Sequence, residues 1–379
     1  MRRKRRERLS VLFVGPLPPP ANGMTIITQS LLESTLSRDF KLSHVDISDH
    51  RDISNVDRVD GRNIYLALRH GLAFLKTLLR TRPDIVHVQV ARNRLGFLRD
   101  AQFLIPCRVA RRTVVLHLHA RGFDEFYSTE PRWMRLLIRC SISPRWYGAV
   151  LSARFRDTFR GLIVPTQISV VPNGTPDVGY GGSASARAPI VLHLSTMWSL
   201  KGTFDVIEAA KLVSVTVPGA RFLMVGGWFR EEERIEALHA VEEAGLDEVV
   251  EFLGPVAGTQ KAELLQAAAV FTLPTRYPIE GQPIVVLEAL ASGTPVVATP
   301  LGAITDMVRD GREGFLVPVG DTTVLAKRLT ELLTDLDLRD RMGRAARARY
   351  EQEYTMEDYV DRIGELWTSM LPTGSSSRP

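Results

Sequence analysis

Two glutamates stand at a predicted strand-to-helix junction in the second half of the sequence. Segment 273–300, LPTRYPIEGQPIVVLEALASGTPVVATP, predicts the end of a strand, a Pro/Gly loop that carries Glu280, and a helix with Pro283 at its first position. The unpaired amides at such a helix start form an anion site that suits a diphosphate. Glu288, inside the helix, can accept hydrogen bonds from a vicinal diol such as a ribose, and Glu280 can accept them from a second polyol.

The spacing of this pair is not informative by itself, because Glu357 and Glu365 share it within a charged helical stretch. Glu280 and Glu288 differ in that they flank a loop-to-helix junction in an otherwise apolar segment, where a carboxylate is costly to bury without a partner. The alternative is a solvated loop glutamate followed by a glutamate that interacts with the helix dipole.

Strands alternate with helices along the chain, which predicts parallel, doubly wound sheets with right-handed crossovers. In the first half we predict strands at 10–14, 85–89, 113–117, 149–152, 161–164 and 168–171. In the second half we predict them at 190–195, 221–225, 249–253, 270–273, 295–298 and 315–317. Ligands of such folds bind at the carboxyl ends of the strands.

The chain of 379 residues exceeds what one hydrophobic core usually supports, so we predict an α/β protein of two Rossmann-like doubly wound domains facing a central cleft. The predicted parts are an N-terminal domain at 1–173 with a basic arm at 1–8, a Gly/Ser/Ala-rich linker at 174–188, a C-terminal domain at 189–352, a helical stretch at 353–371 and a disordered tail at 372–379.

Composition excludes several classes of protein. A hydrophobic content of 45% with 24% charged residues is ordinary for a globular chain and argues against disorder. No stretch approaches the roughly 18 apolar residues of a spanning helix. Cys107 and Cys140 are too few for a disulfide framework or a Cys-rich metal site, which fits a reducing cytoplasm. The basic start imitates a signal peptide but lacks a small-residue cleavage site, so we interpret 9–15 as the first strand.

The first half of the chain is strongly basic. Residues 1–173 hold 29 Lys/Arg against 14 Asp/Glu, a net +15, whereas residues 174–379 hold 19 against 29, a net −10, and the two sum to +5. This split favours an anionic partner for the first half, such as a membrane, a lipid-linked phosphate or a nucleic acid. The alternative is ordinary variation between solvated surfaces. The basic arm is likewise open to two interpretations, a membrane-surface anchor or a solvated terminus.

Segment 63–82 predicts a basic amphipathic helix. Its apolar residues recur at helical spacing and are Ile64, Leu68, Leu72, Leu75 and Leu79. We favour an ordinary helix that faces this row toward the core, because this is the common arrangement in globular proteins. The alternative is a helix that lies on a membrane surface.

Taken in order along the chain, the motifs resemble those of the retaining GT-B glycosyltransferases of family 4. The strand, E-G-x-P, second glutamate and E-A-x-A-x-G-x-P-V-V-A-T block is similar to that family's donor-binding signature. GPLPPPANGM resembles its first strand and glycine loop, and PDIVHVQ at 83–89 resembles its p-D-v-V-H segment. VVLHLHARGF at 114–123 resembles its strand ending in a histidine, and ISVVPNG at 168–174 the segment that closes its first domain. The resemblance covers nearly the whole chain.

The resemblance implies catalytic roles for three residues. His119 matches the active-site histidine, Lys201 the lysine that binds the donor phosphate, and Glu280 the residue that holds the donor sugar. The donor-binding residues that it implies are Asn22, Gly23, Ser195, Thr196, Gly226, Gly227, Val256, Arg276, Gly281, Gln282, Pro283, Ile284 and Glu288. Glu288 would bind the ribose. No cofactor and no metal are expected, because helix N-termini and cationic side chains neutralise the diphosphate in this family.

One position departs from the family pattern. The arginine that usually lies five residues before the lysine is replaced by Thr196, so half of the usual cationic clamp is missing. Arg276 is one candidate to replace it, and the hydroxyl groups of Ser195 and Thr196 are the other.

The resemblance implies a retaining, metal-independent hexosyltransferase that moves sugar from a UDP- or GDP-linked donor to a glycan or lipid-linked acceptor in cell-surface polysaccharide or glycolipid synthesis. It also implies that the C-terminal helix crosses back to the first domain. The expected location is cytoplasmic, with peripheral association with an anionic membrane surface. The alternative is a degenerate GT-B protein that binds nucleotide sugar or assembles with a partner without turnover. A GT-B epimerase or phosphorylase is disfavoured by the E-G-x-P block, and nucleic acid by the lack of an Arg/Lys-aromatic motif.

Overall fold

The computed structural model describes residues 8–19, 23–49 and 61–370, and it divides into two compact units. Unit 1 runs to Asn173 and includes the C-terminal stretch from Glu357, and unit 2 is Gly174–Met356. Each unit contains a six-stranded sheet in which neighbouring strands are parallel. The predicted α/β class with two Rossmann-like units is therefore confirmed. The predicted basic arm, apart from Arg8, and the predicted disordered tail lie outside the described residues.

The sheet of unit 1 has the order β2-β1-β3-β4-β5-β6. Its strands are β1 (Ser10–Gly15), β2 (Lys41–Asp46), β3 (Ile85–Gln89), β4 (Thr113–Leu118), β5 (Tyr147–Val150) and β6 (Ile168–Val170). Its helices are α1 (Gly23–Glu33), α2 (Leu36–Asp39), α3 (Gly61–Thr81), α4 (Arg94–Val109), α5 (Phe123–Thr129) and α6 (Arg132–Ser141). Strands β1, β3 and β4 are buried almost throughout, as is typical of central strands covered on both faces.

The sheet of unit 2 has the order β12-β11-β10-β7-β8-β9. Its strands are β7 (Ile190–Leu194), β8 (Arg221–Val225), β9 (Val250–Gly254), β10 (Val270–Leu273), β11 (Val296–Ala298) and β12 (Gly314–Leu316). Its helices are α7 (Thr203–Thr216), α8 (Glu231–Glu243), α9 (Gly258–Ala267), α10 (Ile284–Ala291), α11 (Ile304–Met307), α12 (Thr322–Thr334) and α13 (Leu336–Glu353). Two separate apolar cores cover the sheet, one for each face. The chain reverses direction across the sheet between β7 and β10, which makes this edge the expected ligand-binding crevice.

The last helix, α14 (Met356–Ser369), packs within unit 1. It buries Tyr359, Ile363 and Trp367, and the Trp367 ring lies edge-on to Phe40 with their centroids 5.1 Å apart. The helix thus contributes core side chains to a sheet that was completed some 190 residues earlier in the chain, at Val170. Among the residues that the structure describes, no helix combines the length and the apolar character needed to cross a membrane.

Three local features differ from the predictions. No strand forms at 161–164, because Gly161 has a left-handed φ of +76° and the buried Leu162 and Ile163 lie in a turn without a strand partner. Strand β2 was not predicted, since it is an edge strand with mixed burial that lacks a continuous apolar run. Pro283 precedes α10 as an extended N-cap residue, so the helix begins at Ile284.

The favoured orientation of α3 is also wrong. The row of Leu68, Leu72, Leu75 and Leu79 is exposed to solvent by 40 to 70% of each residue's surface. A second row, formed by His70, Phe74 and Leu78, is buried instead. Both rows repeat with a helical period, so periodicity alone could not rank them.

Candidate active site

The candidate donor-binding residues of unit 2 lie in the loops that follow β7, β8, β9 and β10, or in α10. These loops all leave the same edge of the sheet because the strands are parallel. The loop after β7 carries Lys201, and the loop after β10 carries Glu280. Strands β7 and β10 are neighbours at the point where the order of strands along the chain reverses, which is where doubly wound folds bind ligands.

Lys201 and Glu280 form a largely buried ion pair across this edge. The Lys201 Nζ lies 2.6 Å from Glu280 Oε2, and the two side chains are 18% and 7% exposed. The Thr275 hydroxyl donates to the same carboxylate oxygen over 3.0 Å. The ammonium also lies 4.8 Å from the centre of the Tyr277 ring, a cation–π contact. A cation and a carboxylate are therefore held next to each other at the expected ligand edge.

Backbone contacts explain why these loops take this shape. Gly202, directly after Lys201, has φ +84°, and a side chain there would collide with the Pro274 carbonyl of the loop after β10. The Arg276 amide donates to the Leu200 carbonyl over 2.8 Å, which joins the two loops. The turn that presents Lys201 is thus fitted directly onto the segment that presents Glu280.

The glutamate loop is held from its other side by the segment after β11. The Ala303 amide donates to the Gly281 carbonyl over 2.8 Å, and the Thr299 hydroxyl donates to the Thr275 carbonyl over 2.6 Å. The Gln282 side chain is buried at the end of this loop, just before α10 begins. These bonds fix the amides of the first turn of α10 relative to Glu280.

Glu288 is buried in α10 and bonded to a lysine that the sequence did not suggest. The Lys261 Nζ of α9 lies 2.5 Å from Glu288 Oε1, while Glu288 Oε2 is buried without a hydrogen-bond partner. Burial raises the pKa of Glu288, and the Lys261 ammonium opposes this by lowering it. One carboxylate oxygen thus remains able to accept a hydrogen bond.

Arg276 is bound within unit 2. Its Nε donates to Asp205 Oδ2 of α7 over 2.7 Å, and its Nη2 donates to the other oxygen of the same carboxylate. This paired hydrogen bonding raises the pKa of Arg276. The Asp205 carboxylate therefore offsets part of the positive charge of Arg276. Arg276 is thus only a partial substitute for the family's arginine, whose position is occupied by Thr196.

Backbone contacts hold the candidates Ser195, Gly226 and Gly227 in place. The Ser195 amide donates to the Val225 carbonyl over 3.0 Å, and the Met197 amide donates to the Gly227 carbonyl over 2.8 Å, so the loops after β7 and β8 run side by side. Gly226 has φ +150°, and a side chain there would collide with the Ser195 carbonyl. Val256 packs against the apolar core.

Sequence reasoning missed the partners of the candidate residues. These are Thr275 beside Glu280, Lys261 beside Glu288, Asp205 beside Arg276, and Trp198, whose ring stacks on Phe229 at 4.4 Å and lies 5.3 Å from Tyr277. Lys261 lies 27 residues from Glu288 and Asp205 lies 71 residues from Arg276. No local pattern links such pairs. Thr275 is the exception, since it lies five residues from Glu280 within segment 273–300.

His119 and Gly23 belong to unit 1. Gly23 is the first residue of α1, and Asn22 lies outside the described residues. His119 follows the end of β4 and is half-buried, with both ring nitrogens shielded from solvent. Burial lowers the pKa of His119 to about 4, although the Asn173 side chain beside it acts to raise the value. The imidazole is therefore neutral near pH 7.

A hydrogen-bond chain of fixed direction lies behind His119. The Trp367 indole N–H can only donate, and it does so to His87 Nδ1 over 3.0 Å. The proton of His87 is therefore on Nε2, which lies 3.1 Å from His117 Nδ1, so the proton of His117 is on its own Nε2. The His117 and His119 rings are 4.1 Å apart, as expected for residues two apart on one strand face. Burial lowers the pKa of His87 to about 3 and that of His117 well below its usual range.

The two sheets and the loops at the β7/β10 edge define a protein of the GT-B type. Residues 183–349 match the family model described as Glycosyl transferases group 1. This match and the motifs quoted above support a GT-B glycosyltransferase of family 4.

Known proteins agree with this assignment. The chain is 32% identical over 193 residues to N-acetyl-alpha-D-glucosaminyl L-malate synthase of Bacillus anthracis, a match that covers 51% of this chain and 48% of that protein. It is 34% identical over 177 residues to phosphatidyl-myo-inositol mannosyltransferase of Mycobacterium leprae, covering 46% and 45%. The chain thus spans about half the length of the curated relatives that it matches.

Solved structures share the fold of the whole chain. Sucrose-phosphate synthase of Thermosynechococcus elongatus superposes with a TM-score of 0.73 at 20% identity, covering 96% of this chain and 99% of that one. Anabaena HepE in complex with UDP-glucose gives a TM-score of 0.71 at 20% identity, covering 96% and 100%.

Proposed function

We propose that this chain is a retaining glycosyltransferase that moves a hexose from a UDP- or GDP-linked sugar to a glycan or lipid-linked acceptor. The observation that carries the proposal is the Lys201–Glu280 pair at the β7/β10 edge of a unit that matches the glycosyltransferase family. Retention of anomeric configuration and independence of a metal follow from the resemblance of the motifs and are part of the proposal.

The proposed roles follow from the chemistry of each group. The Lys201 ammonium has two further N–H donors beyond the one given to Glu280, and these would meet the leaving diphosphate as its charge develops. The backbone amides of Ile284 and Val285 at the start of α10 would bind the same diphosphate. The second oxygen of Glu288 would accept a hydrogen bond from a ribose hydroxyl. Glu280 would accept one from the donor sugar.

The donor class is supported by the ligands bound to a protein of similar fold. HepE has been crystallised with UDP and with UDP-glucose, and it shares the fold of this chain. UDP is therefore the first nucleotide to test, followed by GDP.

The acceptor side is argued from charge. Residues 1–173 carry a net +15, which suits an acceptor that bears phosphate, such as a lipid-linked glycan at the cytoplasmic face of an anionic membrane. We propose cell-surface polysaccharide or glycolipid synthesis as the setting.

A second candidate function is supported by Thr196 and by the bond between Arg276 and Asp205. With one clamp arginine absent and the other candidate cation paired internally, the site carries less free positive charge for a diphosphate. A degenerate GT-B protein that binds nucleotide without turnover would show this arrangement.

Nucleotide binding is expected to raise the melting temperature of the full chain. A ligand at a hundredfold excess over its dissociation constant, bound only to the native state, adds about 2.7 kcal/mol of stability. We expect this shift with UDP or GDP and its loss in Glu288→Ala, with each protein compared with its own ligand-free melting temperature. The exposed Glu236→Ala on α8 serves as the matched control and should keep the full shift.

Turnover separates the two candidate functions. Release of free sugar or transfer product from a panel of UDP- and GDP-sugars supports the transferase. A nucleotide shift without turnover of any donor supports the degenerate protein. If no nucleotide shifts the melting temperature of the folded protein, both candidate functions are contradicted, because both require nucleotide binding.

A further inference from the structure

Helix α3 carries an apolar row that no part of the described chain covers. Its buried row, His70, Phe74 and Leu78, faces the protein. The exposed row is 40 to 70% accessible and consists of Tyr65, Leu68, Leu72, Leu75 and Leu79. Its members are spaced by three and four residues, so they form one continuous stripe along the helix. Large exposed apolar surfaces of this kind mark interaction sites.

The neighbouring helices α4 and α6 extend this stripe into a surface. Helix α3 packs on α4, with the Phe74 and Phe103 rings 5.1 Å apart. Helix α4 is tied to the end of α6, because the Arg108 guanidinium donates to the Arg139 and Ile142 carbonyls over 2.7 Å each. The exposed apolar residues of α4 and α6 are Leu95, Leu98, Ile105, Val109, Trp133 and Leu136. We call the outer side of α3, α4 and α6 the three-helix face.

The three-helix face is basic as well as apolar. The cationic residues of its helices are Arg62, Arg69, Lys76, Arg80, Arg94, Arg99, Arg108, Arg132, Arg135 and Arg139. Against these ten, the same three helices contain one acidic residue, Asp100, which is fully buried and paired with Arg99. On α3, Arg69, Lys76 and Arg80 each follow a leucine of the exposed row, so cations line one side of it.

We propose that the three-helix face docks unit 1 onto an anionic lipid bilayer. Leucine and tryptophan side chains on the face enter the boundary between headgroups and acyl chains, and the arginine and lysine side chains reach the lipid phosphates. A second copy of this chain fits poorly, because a two-fold contact through this face would set its cationic residues, such as Arg69, Lys76 and Arg80 of α3, against the same residues of the other copy. An acidic protein surface is the other chemically suitable occupant, and the test separates it from lipid.

This proposal rests on the proposed function and deepens it, because docking on a membrane would bring the chain to a lipid-linked acceptor. Its test uses no donor sugar. The nucleotide-induced shift in melting temperature reports on unit 2, whereas lipid binding reports on the three-helix face, so the failure of one is distinguishable from the failure of the other.

Flotation of the full chain with vesicles tests the proposal. We expect recovery with vesicles of mixed phosphatidylglycerol and phosphatidylcholine, and little recovery with phosphatidylcholine alone. The double variant L68D/L72D should partition into anionic vesicles at least about tenfold more weakly, because it exchanges two leucines for charges that the bilayer surface repels. Both positions are 62 to 70% exposed, so the melting temperature should be unchanged.

The matched control is I235D on α8, an equally exposed apolar residue on an acidic helix of unit 2. It should float as the unaltered chain does. Equal recovery of L68D/L72D and the unaltered chain would overturn the proposal, as would equal recovery with and without anionic lipid. A dimer in gel filtration that L68D/L72D dissociates would overturn it in favour of a second copy. Absence of lipid binding together with capture of an acidic protein would overturn it in favour of a protein partner.

Trp133 provides a direct readout of depth. It is 53% exposed on α6, and lipids brominated in their acyl chains should quench its fluorescence when the chain is bound. Quenching that persists at full strength in W133F would arise from other tryptophans and would contradict insertion of this face.

Discussion

Replacing Lys201 with alanine is expected to lower the rate of donor turnover by about 100-fold or more. The ammonium is the cation closest to Glu280 at the β7/β10 edge, and its charge would be used as negative charge develops on the leaving diphosphate. Removal of one preorganised donor of this kind typically costs about 100- to 1000-fold in rate. Turnover should be measured with whichever UDP- or GDP-sugar the unaltered chain consumes. Lys211→Ala, at an exposed position on α7, should retain the full rate.

The same substitution also removes the partner of a buried carboxylate, so catalysis and folding must be separated. Breaking a buried ion pair from one side commonly costs about 3 to 5 kcal/mol, and Glu280 would retain the Thr275 hydroxyl as a donor. The double variant K201M/E280Q removes both charges and should recover much of the lost stability while remaining inactive. A Lys201→Ala protein that melts normally and keeps more than about a tenth of the rate would show that the charge is not used in the reaction.

The parts of the site that could be predicted are those that a short stretch of chain specifies. Glu280 and Glu288 share one loop-to-helix segment, and the alternation of strands and helices places that segment at the carboxyl edge of a sheet. The partners of these residues could not be predicted. Lys261 reaches Glu288 because α9 and α10 pack on the same face of the sheet, and the sequence does not state which helices become neighbours.

The orientation of α3 shows a second limit. Its bounds were predicted to within two residues, yet the apolar row that the sequence displays most clearly faces outward. The inward row, His70, Phe74 and Leu78, contains a histidine and is shorter, so its apolar pattern in the sequence is weaker. Where a helix has two apolar rows, the row that contacts the sheet is the one that is buried. The other apolar row then remains exposed, which indicates a surface that binds a partner.

Lowering the pH from about 7 to about 5.5 is expected to reduce the free energy of unfolding of unit 1 by about 2.5 kcal/mol through His87 and His117 alone. Both side chains are fully buried, and burial lowers the pKa of each. In the unfolded chain a histidine titrates near its usual pKa of about 6.5. Below that pH the unfolded state binds protons that the folded state does not, so stability falls as the pH falls.

The sign and size follow from this difference in bound protons. Above about pH 7 both states are nearly neutral and the effect vanishes, whereas each histidine contributes up to about 1.4 kcal/mol per pH unit below its unfolded pKa. Most carboxylates titrate below about pH 5.5, so histidines account for most of the change in the free energy of unfolding between about pH 7 and about pH 5.5. Urea unfolding monitored by tryptophan fluorescence at the two pH values measures the loss.

The His87→Gln variant tests whether the buried histidines cause this acid sensitivity. In His87→Gln the amide oxygen can accept from the Trp367 indole and the amide N–H can donate toward His117 Nδ1, so both bonds have a replacement while one titrating group is lost. The acid-induced loss of stability should fall by about half of the amount assigned to the pair. His239→Gln, at an exposed position on α8, should leave it unchanged. An undiminished loss in His87→Gln would mean that the buried chain is not what makes the fold sensitive to acid. A diminished loss would show that neutral imidazoles are built into the hydrogen-bond chain behind His119.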